Sequence, residues 1–131
     1  MTDKINTINL ATAIRYGNIK DAIEILKYKN INVSYNYNEL ISRCIHDNNK
    51  ILKLLIDHPS FNANINQKEH IRNVIIAYSM APSNSTQKQI EILKNDKRYS
   101  ENIQSIKNEI LDTLIFDFDK HIIENLKFIL H

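Results

Sequence analysis

Two stretches of this chain can be laid over each other thirty residues apart, and that periodicity restricts the fold more than any other feature. Residues 10–36 read LATAIRYGNIKDAIEILKYKNINVSYN, and residues 40–66 read LISRCIHDNNKILKLLIDHPSFNANIN. Leu10 falls over Leu40, Asn18 over Asn48, Ile25-Leu26 over Leu55-Ile56, Ile31-Asn32 over Phe61-Asn62, and Asn36 over Asn66. A period between about 20 and 50 residues marks architectures in which one supersecondary unit is copied and stacked.

The copied unit reads as a helical hairpin. Leu10, Ala13 and Ile14 lie at helical spacing, so a first helix is expected over about 3–16, with Asp3 as its cap. Gly17 stops it, because a helix end that turns left-handed needs glycine. Asn18 then caps a second helix over about 19–29, whose expected inner stripe is Ile19, Ala22, Ile23 and Leu26. The Asn-rich stretch 29–38 reads as an extended turn or finger, because its alternation of Asn with apolar residues returns at 61–66. A third helix is expected over about 38–46 and a fourth, capped by Asp47 or Asn48, ends at Pro59. A third unit opens with Asn66 and Glu69 at capping-box spacing, runs through Ile71, Val74, Ile75 and Tyr78, breaks at a loop over 80–87, and closes with a helix over 88–95. A fourth begins near Ser100, with Asp119 capping a last helix. The expectation is an all-α chain of stacked antiparallel helical hairpins, about four units and eight helices, with units near 3–36, 37–66, 67–99 and 100–131.

Composition narrows the function classes. One glycine and two prolines in 131 residues argue against a many-turned β architecture. Net charge is +2, with eight basic and six acidic residues in 1–65 and nine of each in 66–131, so neither half is a basic arm or an acidic tail. Cys44 is the single cysteine, which rules out an intrachain disulfide and a cysteine metal cage. No stretch carries the apolar core of a signal peptide or a membrane span, and a cytoplasmic location is expected. The heavy use of Ile, Asn and Lys fits an AT-rich genome, which lowers the weight of asparagine as a functional signal.

The residues Leu10, Ala13, Gly17-Asn18 and Ile25-Leu26, matched by Leu40, Cys44, Asn48 and Leu55-Ile56, resemble degenerate ankyrin repeats. The run LLIDHPSFNANIN is similar to the divergent ankyrin repeats common in large DNA viruses and amoeboid eukaryotes. The likeness covers 10–66 and fades to hairpin periodicity beyond. The family's Thr-Pro-Leu-His opening is replaced by Ile8-Asn9-Leu10-Ala11 and Asn38-Glu39-Leu40-Ile41, so the hydrogen-bond ties that its threonine and histidine make between neighbouring turns must be missing or replaced. The resemblance implies an ankyrin-like solenoid that binds a partner protein.

Enzymatic constellations are poorly formed. Asp117 and His121 in FDFDKH stand four apart, but Asp119 reads as a cap and no second ligand cluster completes a metal set. Cys44 and His46 cannot face each other on a helix. A single glycine builds no phosphate cradle. Lys88, Lys94, Lys97, Arg98 and Tyr99 form a basic run with one aromatic, interrupted by Glu91, Asp96 and Glu101. No cofactor, metal or small-molecule substrate is expected. If the units stack, the finger tips and the first helix of each hairpin line one side, which carries Arg15, Tyr16, Tyr35, Tyr37, Arg43, His46 and Arg72, of types favoured in binding hot spots. The expected activity is protein–protein interaction without enzymatic chemistry. The alternatives are a self-associating structural or assembly protein and a helical nucleic-acid accessory protein. Replacing Tyr35 and Tyr37 by alanine is expected to leave the fold and weaken the partner.

Overall fold

A computed structural model describes the backbone at residues 3–28, 31–44, 48–114 and 120–130; side chains at 3–7, 37, 110, 113 and 114 are not described. Among these residues there are eight helices and no strand: α1 (Asp3–Arg15), α2 (Ile19–Ile25), α3 (Tyr35–Arg43), α4 (Asn49–Asp57), α5 (Gln67–Met80), α6 (Asn84–Lys94), α7 (Lys97–Leu114) and α8 (Lys120–Leu130). The chain divides after Asn66 into two compact units.

In the first unit, the α1–α2 corner is built as its sequence dictates. Gly17 takes φ +63, its amide donates to the Ile14 carbonyl at 3.1 Å, and the Asn18 amide donates to the Ala13 carbonyl at 2.8 Å. These two bonds form a Schellman motif, which satisfies carbonyls that the helix end would otherwise leave bare. Asn18 then caps α2, its side chain accepting from the Asp21 amide at 3.1 Å. The helix is shorter than its apolar spacing predicts. After Ile25 the backbone tightens to bonds of the i to i−3 kind, Lys27 to Glu24 and Tyr28 to Ile25. Of its expected stripe, Ala22 is buried while Ile23 is exposed.

α1 packs on α2 and on α3, and α2 packs on α4. Leu10, Ala13, Ile14, Leu40, Ile41, Cys44, Ile51, Leu52, Leu55 and Ile56 fill the core between them. Burying a side chain of the leucine or isoleucine class stabilises by about 1.5–3 kcal/mol. Pro59 ends α4 by forcing its neighbour His58 to an extended ψ of 139.

Two pairs of asparagines thirty residues apart share conformation. Asn32 Oδ1 accepts from the Ser34 amide, and Asn62 Oδ1 from the Asn64 amide, each at 3.0 Å. Both are Asx turns, in which a short amide side chain imitates a backbone turn. Asn36 and Asn66 are both left-handed, with φ of 56 and 53. Asn38 is also left-handed at φ 60, so regular right-handed helix in α3 starts only after it. Asn66 therefore does not hold the extended backbone of the N-cap predicted for it.

The two turns are tied directly. The Val33 amide donates to Ser60 Oγ at 2.9 Å and the Asn62 amide to Ser34 Oγ at 2.7 Å. Asn38 Nδ2 donates to the carbonyls of Asn62 and Ile65, both at 2.9 Å. The His58 ring completes the set. Its Nδ1 accepts from the Ser60 amide at 3.1 Å and lies 2.8 Å from the Ser60 hydroxyl, so Nε2 carries the proton and donates to the Leu26 carbonyl at 3.1 Å.

In the second unit, α5, α6, α7 and α8 touch one another in every pairing. Ile71, Val74, Ile75, Tyr78, Ile90, Leu93, Ile103, Ile106, Ile123, Leu126 and Leu130 are buried. The loop expected over 80–87 is mostly helix. Met80 still belongs to α5, and α6 begins at Asn84 behind a reciprocal box: the Ser83 side chain accepts from the Thr86 amide at 3.1 Å, and the Thr86 hydroxyl accepts from the Ser83 amide at 3.0 Å. α7 also starts earlier than Ser100, because the Asp96 carboxylate accepts from the Arg98 amide at 2.9 Å and its carbonyl from the Tyr99 and Ser100 amides.

Candidate functional site

The stripe that turns α1 toward α3 leaves its flank open. Ile8, Ala11, Thr12, Ile14 and Arg15 from α1, with Arg43 from the end of α3 and Asn48 from the cap of α4, line a cleft of about 570 Å³. Its wall is apolar at Ala11 and Ile14, and Ile8 at its edge is 55% exposed. Its two charged groups are both guanidiniums. Arg43 Nη2 donates to Glu39 at 2.7 Å. Arg15 makes no ion pair among the described residues and stacks its guanidinium 5.7 Å from the Tyr16 ring centre. The Asn36 amide and, after it, the Arg43 guanidinium hold the Glu39 carboxyl below its usual range.

The other side of α1 faces α2 across a cleft of about 340 Å³ lined by Asn9, Thr12, Ala13, Tyr16, Asn18, Asp21, Glu24 and Ile25. Its carboxylates are already engaged. Asp21 accepts from Asn18 Nδ2 at 2.8 Å, and Glu24 pairs with Lys27 at 3.0 Å. Among the described lining residues the charged groups are arginines toward α3 and carboxylates toward α2.

Of the seven residues singled out from sequence, Arg15 and Arg43 meet in the larger cleft and Tyr16 lines the smaller one, 74% exposed. Tyr35 is half-buried at the start of α3. The Tyr37 side chain and His46 lie outside the described residues. Arg72 belongs to the second unit and pairs with Glu109 at 3.3 Å and Glu69 at 3.6 Å.

Asp117 and Asp119 of the candidate metal set lie outside the described residues. Among the described residues no cluster of three His, Cys, Asp or Glu side chains is placed to hold a metal ion. No helix among them is long and apolar enough to cross a membrane. The basic run loses its aromatic: Tyr99 is 1% exposed, Arg98 pairs with Asp96 at 2.7 Å, and Lys94 donates to the Ile129 carbonyl at 2.9 Å.

Sequence reasoning missed the polar centre of the second unit. His70 Nδ1 lies 3.0 Å from Tyr99 Oη, and the rings meet edge to face at 5.3 Å. Burial lowers the His70 pKa to about 4 and pushes the Tyr99 phenol up. Gln67 Nε2 donates to the Arg98 carbonyl at 2.8 Å, and its Oε1 accepts from Asn102. The signal was present in the position of His70, four residues before Val74 on the inner stripe of α5. This network joins α5 to α7 inside the core. No protein-family model matches this chain, and neither a curated protein nor a solved structure matches it significantly.

Proposed function

We propose that the chain is a non-enzymatic protein-interaction module, built as an ankyrin-like array of hairpins, cytoplasmic, which docks a partner protein on the α1–α3 side. The observation that carries this reading is the cleft between α1 and α3, where the exposed Ile8 and the two guanidiniums of Arg15 and Arg43 converge on an apolar wall. Arginine beside apolar surface is the composition from which binding hot spots are made. The array reading is supported by the Asx turns at Asn32 and Asn62 and by the left-handed asparagines 36 and 66, thirty residues apart in each case. The ties through Ser34, Asn38, His58 and Ser60 supply what the family's absent threonine and histidine would.

Affinity capture of the tagged chain from its native cells, with mass spectrometry of what it retains, tests the reading. A heterologous protein should be retained by the natural chain and lost with Ile8→Glu, while the helical circular dichroism of the variant stays unchanged. A second reading, self-assembly, is favoured by Phe128, which is 84% exposed on α8. Capture of the chain alone, together with a multimeric mass by light scattering, would put self-assembly in place of the module.

A further inference from the structure

From the charge of the cleft we infer what the partner carries: a segment with an Asp or Glu side chain next to an apolar one. This rests on the interaction-module reading and specifies its ligand. Ile8, 55% exposed, and the half-buried Ala11 offer contact for an apolar side chain. Among the described residues the charged groups of the lining are Arg15 and Arg43; Glu39 is paired with Arg43, so the unpaired charge is that of Arg15. Arg15 is engaged only by the face of Tyr16 among the described residues, which leaves its fork of N–H donors for a carboxylate. Arg43 spends one Nη2 donor on Glu39 and, with five N–H donors on a guanidinium, retains others. Asp21 and Glu24 line the opposite side of α1.

A nucleic-acid ligand fits less well. Affinity for a phosphate backbone grows with the number of phosphates neutralised by Lys and Arg, and the described lining of this cleft supplies only two such groups, one of them already paired with Glu39. An apolar wall also gives nothing to a phosphodiester. A carboxylate beside a leucine, isoleucine or phenylalanine uses both halves of the cleft.

Selection of a displayed random-peptide library on the folded protein tests this directly, with affinity of the enriched peptides read by fluorescence anisotropy. The selected peptides should place Asp or Glu beside an apolar residue. Replacing their acid by its amide, or combining Arg15→Gln with Arg43→Gln in the protein, should weaken binding about tenfold. Raising the salt should weaken it too. Glu39→Gln should tighten binding severalfold, because it releases Arg43, and a gain of this kind cannot come from damaged folding. Failure to enrich any peptide, enrichment without acidic residues, or equal binding by the double arginine variant would overturn the inference. So would preferential binding of a short single-stranded oligonucleotide, which would point to a phosphate ligand. A captured partner protein that binds the double arginine variant undiminished would sink the acidic ligand while leaving the module standing; absence of any captured partner would sink the module.

Discussion

At positions 36, 38 and 66 the backbone turns left-handed, and asparagine stands at each. For an ordinary L-residue that conformation costs roughly 1–2 kcal/mol, a penalty that asparagine reduces through local hydrogen bonding. Asn38 adds a second role, since its amide closes on two carbonyls of the next turn. The two roles are separable. Asn38→Gly keeps the backbone and loses the bonds, and is expected to cost about 2 kcal/mol; Asn38→Ala should cost about 1 kcal/mol more. Urea unfolding of both variants checks this, and equal losses would remove the backbone contribution. His70 makes stability depend on pH. Its pKa falls from 6.5 in the unfolded chain to about 4 in the folded one, so the unfolded chain binds the extra proton between those values. Its contribution is therefore whole above pH 6.5 and is lost as pH falls from there through about 4, an amount on the order of 3 kcal/mol. His70→Gln should flatten that part of the stability profile.

At the scale of elements, capping chemistry explains both what was legible and what was not. Gly17-Asn18 announced a helix end and a helix start, and both occur there. Gly17→Ala should cost about 1 kcal/mol through φ alone, because no atom lies within 4 Å of an added Cβ. Thermal melts of the variant check it, and a loss several times larger would mean a clash. The stretch 80–87 reads as a loop by its Pro, Ser and Asn content, yet Ser83 and Thr86 satisfy each other's amides and start α6 at once. Thr in place of the usual Glu or Gln hid the box. Ser83→Ala is expected to cost about 1 kcal/mol in the same assay, and to fray the first turn of α6 by hydrogen exchange. Asp96 was concealed differently: inside a run of charges its capping of α7 left no separate mark.

On the scale of the molecule, apolar periodicity located the buried faces, from Leu10 and Leu40 to Leu126, because burial repeats with the helical turn. The ties between turns were not legible, since a side chain that bonds a backbone carbonyl has no partner residue type to betray it. His58 reaching the Leu26 carbonyl is the clearest case. Arg15 and Arg43 could be named as exposed candidates, but that one cleft would hold both depends on how α1 packs on α3. The proposed interaction stands or falls on that cleft. Its most direct test is amide chemical-shift mapping of the labelled protein while the captured partner is titrated in. Shifts concentrated at Ile8, Ala11, Ile14, Arg15 and Arg43 are expected; shifts confined to the second unit, with the α1–α3 amides unmoved, would contradict it.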